Sequence, residues 1–180
     1  MMIRRMMLAG LMASMLGVMG TQAQAKDYKL DKGHTYVYFK IKHMGLGYSY
    51  GRFNEVDGKV TVDGSNSKFD FTIKTDSIDT GIKKRDSHLK SPDFFNERQY
   101  PLITFKTKSV KVSGDKYTVT GDLTMHGKTK SITVDMTKTG ESDKGVGFEA
   151  IFVINSHDFG IKHRALGKDV TLMVSFEANP

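Results

Sequence analysis

The chain has 180 residues, 27 Lys and Arg against 20 Asp and Glu, a net charge of +7, and no cysteine. Without cysteine there is no disulfide scaffold, and any zinc site has to come from histidines and carboxylates. The cations are scattered and form no block, which fits a solvated outer face and argues against nucleic-acid binding.

Residues 1–25 read as a secretory leader. Arg4 and Arg5 supply the positive start, Met6 to Gly20 carry no charge, and Ala23-Gln24-Ala25 is a small-x-small cleavage pattern. The uncharged run is shorter than the roughly 20 residues of a membrane span. No cysteine follows it, so it is not a lipoprotein anchor. Cleavage is expected after Ala25, and no later segment is expected to cross a membrane. The expected mature domain, 26–180, has a net charge of +5 and fits one domain.

The mature chain repeats with period two, the signature of half-buried strands. Val37, Phe39 and Ile41 alternate with Tyr36, Tyr38, Lys40 and Lys42. Residues 42–53, KHMGLGYSYGRF, break the pattern with Gly45, Gly47 and Gly51, and read as a hairpin loop with strand curvature or as a mouth loop that gates ligand access. Further strands follow around Val60, Phe71, Phe105, Val119, Val134, Phe152 and Val174, giving eight in all. In the fourth, the inward set moves from Ile103 and Phe105 to Val110 and Val112, which predicts a bulge near Lys108. Turns are expected at Asp63-Gly64, Ser113-Gly114-Asp115, His126-Gly127-Lys128 and Gly140 to Gly145. Short gaps favour antiparallel pairing, and eight such strands form a sandwich or close into a barrel.

A helical insertion is expected between the third and fourth strands. Ile82 to Lys90 lead into Ser91-Pro92-Asp93, which reads as a helix start, and Tyr100-Pro101 ends the insertion. The adjacent Phe94 and Phe95 serve either as a plug in one barrel end or as a lid over an apolar cavity. Phe159, beside Gly160, caps one of the barrel ends.

Asp86, Ser87 and His88 hold the letters of a hydrolase triad, but neighbours in sequence rarely meet in triad geometry, and no Gly-x-Ser-x-Gly elbow is present. A hydrogen-bonded loop at the rim is the simpler reading. His157 and His163, six apart, are weak evidence for a metal, and neither a metal nor a cofactor is expected.

Taken together, HTYVYFKIKHMG, GRFNEVDGKVTVD, SHLKSPDFFNERQYPLITFK, GDLTMHGKTKSITV and NSHDFGI, in this order, make residues 26–180 resemble the YceI-like family of exported lipid-binding proteins. The resemblance implies an all-β, eight-stranded antiparallel, lipocalin-like barrel around a long apolar cavity. It also implies a periplasmic protein holding an isoprenoid-type or other long-chain amphiphile, and it carries over no catalytic residue. The expected cavity residues are Phe39, Phe71, Phe94, Phe95, Phe105, Met125, Phe152 and Phe159. Lys42, Arg85, His88 and Lys90 are candidates for an anionic or quinone head group at the rim. The main expectation is therefore a non-enzymatic carrier or store for an isoprenoid or quinone. The rivals are an exported enzyme using His88 with Asp86 on such a lipid, and a structural or stress protein with a filled core. A homodimer stays open, through an exposed edge or through Tyr36, Tyr38, Tyr48 and Tyr50.

Overall fold

The computed structural model describes residues 25–180, so the expected leader up to Gln24 lies outside the described residues. The strands are β1 (Lys26–His43), β2 (Gly47–Phe53), β3 (Val56–Val62), β4 (Lys68–Lys74), β5 (Ile78–Asp79), β6 (Leu102–Ser113), β7 (Lys116–Met125), β8 (Lys128–Ser142), β9 (Gly145–Asn155) and β10 (Leu166–Asn179). One helix, α1 (Lys83–Lys90), lies between β5 and β6.

All pairings between these strands are antiparallel, and the sheet closes where β10 meets β1. The result is an eight-stranded antiparallel barrel, because two of its positions are each built from two pieces. Along β1, β3 pairs with Lys26 to Lys29 and β2 with Val37 to His43. Chain that leaves β4 turns through Thr75–Ser77 into β5, which pairs with β2. Closure removes the exposed strand edges that would otherwise invite association.

Alternation fixes which face points inward. In β1, Val37 and Phe39 are buried while Tyr36 and Tyr38 are exposed. The predicted bulge appears as a register shift between Thr107 and Ser109 in the β6–β7 pair. It switches the buried face to Val110, although Val112 beyond it is exposed. At the β7–β8 turn, His126 and Gly127 have φ of 51° and 70°. Positive φ at both positions gives the hairpin turn that suits right-handed strand twist.

Two expectations need correction. Residues 47–53 are the paired strand β2, closed by a tight turn at Met44-Gly45-Leu46, and are not a loop. The helix does not start at Ser91-Pro92-Asp93 but ends there. Ser91 is extended (φ −70°, ψ 168°), and both its N–H and its hydroxyl donate to the His88 carbonyl, at 3.1 and 2.7 Å. Pro92 disfavours helical geometry in the residue before it, so the serine-proline pair acts as a stop.

The inward face changes character along the barrel axis. At one end Phe69, Tyr117, Phe148 and Phe176 form a solid cluster, with the Phe69 ring centroid 5.0 Å from that of Phe148 and 5.9 Å from that of Tyr117. Phe69 and Phe148 are both 0% exposed. Further along the same strands the inward residues Phe71, Ile73, Phe152, Leu172 and Val174 are only half-buried. The barrel wall shields them from outside, so the surface they expose faces an internal space.

Candidate functional site

That space is a single apolar cavity running from Phe71 and Phe176 to the end covered by α1. Every strand of the barrel contributes to its wall except the two-residue β5. Apart from Thr35 and Ser156, every lining residue is apolar, and the Ser156 hydroxyl donates to the Lys168 carbonyl at 3.1 Å. The volume open to the centre of a water-sized sphere is about 180 Å³, roughly tenfold or more what one buried water needs. An apolar cavity offers water no hydrogen bonds, so it stays dry and accepts hydrocarbon. A continuous cavity excludes the uniformly filled core.

Three glycines make room for rings against the wall. A Cβ on Gly51 would lie 2.4 Å from Phe39 Cζ, one on Gly58 2.6 Å from Phe71 Cδ1, and one on Gly121 2.4 Å from Phe105 Cζ. Each ring occupies the space a side chain would fill at a glycine of the neighbouring strand, which leaves the middle of the barrel open. The sequence marks Gly51 as a residue that lets a loop or bent strand approach something closely, and here the neighbour is the Phe39 ring.

Seven of the eight expected cavity residues line this space: Phe39, Phe71, Phe94, Phe95, Phe105, Met125 and Phe152. Phe159 does not. It lies in the short 3-10 turn Ser156–Phe159 and is fully buried beside the cavity, where its carbonyl meets His126 Nδ1 at 3.0 Å. Sequence reading missed Phe53, Leu89, Ile161 and Leu166, which lie at turns and element ends where period two gives no guidance.

Phe94 and Phe95 both reach the cavity because their backbone is no longer helical. The Phe95 N–H donates to the Leu89 carbonyl at 3.0 Å and that of Phe94 to the Ser91 carbonyl at 3.1 Å. Phe94 stacks on the His163 ring, 5.1 Å between centroids, and meets the edge of His88 at 4.9 Å. Phe95 packs edge-on against Phe53 at 5.8 Å. The two rings and Leu89 cover this end of the cavity.

The rim candidates separate. The Arg85 guanidinium is engaged by Thr80, donating from Nε to the hydroxyl and from Nη2 to the carbonyl, both at 2.7 Å. Lys42 lies on the outer face of its strand and donates to the Leu46 carbonyl at 3.2 Å. His88 stays at the mouth through Phe94, with Nε2 3.5 Å from the Asp93 carboxylate. Lys90 is half-buried at the end of α1.

Asp86, Ser87 and His88 do not assemble into a triad. Asp86 accepts from the Thr80 N–H at 2.8 Å, Ser87 donates to the Lys83 carbonyl at 3.0 Å, and His88 faces Asp93. Away from the cavity, Asp31, His34 and Glu177 bring one ligand atom each within 4.8 Å of one another. Asp31 already bonds His34 at 3.0 Å, the Gly33 N–H at 2.8 Å and Asn179 at 3.2 Å. The hydrogen bond from His34 holds the Asp31 carboxyl below its ordinary value, and the reciprocal bond raises His34. These bonds knit the bulge between Leu30 and Thr35, which accounts for the cluster without a metal.

A family profile described as the YceI-like domain matches residues 28–178. The chain belongs to the YceI-like family. It is 42% identical to Protein YceI of Escherichia coli O157:H7, over 94% of this chain and 95% of that one. Among solved structures, a YceI protein of Campylobacter jejuni is 34% identical, with a TM-score of 0.70, over 86% of this chain and 98% of that one. A structure from Saccharophagus degradans, described as a polyisoprenoid binding domain, shares the fold at 18% identity, with a TM-score of 0.72, over 85% of this chain and 98% of that one. No described helix is long and apolar enough to cross a membrane.

Proposed function

We propose that this YceI-family barrel binds a long-chain isoprenoid-type lipid or quinone in its cavity and carries or stores it in the periplasm without chemical turnover. The observation that carries the reading is a continuous apolar cavity with no charged lining residue. Each methylene moved from water into such a space gains about 0.8 kcal/mol, so a long tail outweighs the cost of immobilising it. The Saccharophagus relative, described as a polyisoprenoid binding domain, supports the ligand class. The leader pattern of residues 1–25 supports export.

The head group stays at the covered end, where His88 touches the cavity residue Phe94 and Lys90 follows at the end of α1. Phe94 and Phe95 act as a cover that the tail passes on loading. The deciding experiment is mass spectrometry of lipid extracted from protein purified gently from its native periplasm. A stoichiometric long-chain lipid is expected. Material that carries no lipid, and binds none added, overturns the reading.

A further inference from the structure

We propose that the outer face of the β1–β2 hairpin docks on an anionic lipid bilayer, with the mouth of the cavity beside the contact. From Lys32 to Asn54 the chain has no Asp or Glu, yet it carries Lys32, Lys40, Lys42 and Arg52. The strand register turns this composition into a pattern. Lys42 lies opposite Tyr48, Lys40 opposite Tyr50, and Tyr38 opposite Arg52. Each outward pair thus joins one tyrosine to one cation, while Phe39 and Ile41 on the inner face line the cavity.

Lys40 and Lys42 hold their ammonium groups 5.2 and 4.8 Å from the Tyr48 ring centroid. Neither is within 4.0 Å of a carboxylate among the described residues. The other two cations of the stretch have acidic partners, Arg52 with Asp79 at 3.5 Å and Lys32 with Asp57 at 2.7 Å. The hairpin ends in Met44, 65% exposed, and Leu46, 86% exposed. Amphipathic rings and long cations around an apolar tip match the boundary of a bilayer, where tyrosine sits among head groups and lysine extends towards phosphate.

The tip is next to the mouth. The Met44 N–H donates to the Ala165 carbonyl at 2.7 Å, and His43 pairs with Leu166, a cavity residue. That neighbouring segment, residues 161–168, adds Lys162, Arg164 and Lys168 and again has no acid. On the other flank the outward face continues through Met173, opposite Tyr38, to Ile151, 74% exposed. Glu149 and Asp169 are the nearest acids on those strands, opposite Ser175 and Asn155.

Charge selects the occupant. A second copy packed symmetrically on this face would set Lys40, Lys42 and Arg52 against themselves. An anionic bilayer pairs with them at roughly fivefold in affinity per cation. The docking role deepens the lipid-carrier reading, and its test is independent of cargo.

The test is co-sedimentation of the mature protein with vesicles of phosphatidylcholine alone or mixed with phosphatidylglycerol, at low and raised salt. Binding is expected only to the mixed vesicles and should fall as salt screens it. Lys40→Glu should weaken binding roughly thirtyfold, since it changes the charge by two. Leu46→Asp, at a fully solvated tip, should abolish insertion with circular dichroism and cargo content unchanged. Equal binding to neutral vesicles, or mixed-vesicle binding that survives both substitutions, overturns the proposal. So does sedimentation equilibrium showing a dimer that Leu46→Asp dissociates, because the face is then a subunit interface. Loss of vesicle binding with cargo retained supports docking. An absence of cargo with vesicle binding intact counts against the carrier reading alone.

Discussion

Gly51→Ala is the sharpest probe of how the cavity is kept open. The added Cβ meets Phe39 Cζ at 2.4 Å, Phe39 Cε1 at 2.8 Å and Thr80 Cγ2 at 2.9 Å. Ordinary carbon contacts lie near 3.5–4.0 Å, so something must retreat by about 1 Å or more. Thr80 is held in place, because its hydroxyl is bonded to both Arg85 and Asp86. The Phe39 ring is therefore the part that moves. Phe53 stands beside it at 5.9 Å, which leaves the cavity as the open direction. Overpacking of this kind costs about 1–3 kcal/mol, against about 0.4–1 kcal/mol gained by stiffening the unfolded chain. The variant should be less stable by about 1–2 kcal/mol. Urea unfolding of lipid-free protein measures this as a lower midpoint at unchanged slope. Phe39→Leu in the same background should recover most of the loss, so a double-mutant cycle should show coupling of about 1 kcal/mol. A Gly51→Ala protein as stable as the wild type, or a cost that Phe39→Leu leaves unchanged, refutes the ring-seat argument.

The solid and hollow halves of the barrel should respond differently to truncation. Phe69→Ala removes a fully buried ring and should cost about 3–5 kcal/mol, whereas Phe152→Ala, on the cavity wall, should cost clearly less in lipid-free protein. Chemical denaturation of the two side by side checks this. Ala150→Phe places a ring in the cavity between Met136 and Val174, so it should abolish lipid retention while the far-ultraviolet circular dichroism stays that of the wild type. Asp31 raises the proton affinity of His34 above its ordinary 6.5, so the His34 contribution is full below that pH and lost as pH rises through the raised value. The Asp31 contribution is full above 3.8 and lost as pH falls through its lowered value. The pair thus helps most between these limits. NMR titration should place the His34 midpoint above 6.5, and Asp31→Asn should return it towards that value.

Period two made most of the barrel legible, because a strand with one buried face must alternate and a one-residue slip would reverse it. Phe39, Phe71, Phe105 and Phe152 could be assigned inward for this reason alone. The bulge at Thr107 to Ser109 was readable because the alternation changes phase there. Where backbone stops being regular, the guide disappears. Phe159 looked like a cavity residue by composition, but the turn that carries it faces its ring into packed protein. Ser91-Pro92 has the residue types of a helix start, but the more local rule, proline's effect on the residue before it, makes it a stop.

Hollowness could not be read from the strands one at a time, because the same apolar residues serve a solid core and a cavity wall. Phe69 and Phe71 are both inward phenylalanines on β4, two residues apart. Phe69 meets Tyr117, Phe148 and Phe176 from three other strands and is filled around, whereas Phe71 touches Phe176 and lies back over Gly58. The difference is set by what the opposing strands present at that height. Aromatic rings from β7, β9 and β10 converge at one level. At the next level, glycines let the rings lie against the wall, and Ala150 presents only a methyl group. A cavity in this barrel is thus a property of residue size across strands far apart in sequence. Its most informative sequence marks are the small residues, Gly51, Gly58, Gly121 and Ala150, more than the phenylalanines that first draw attention.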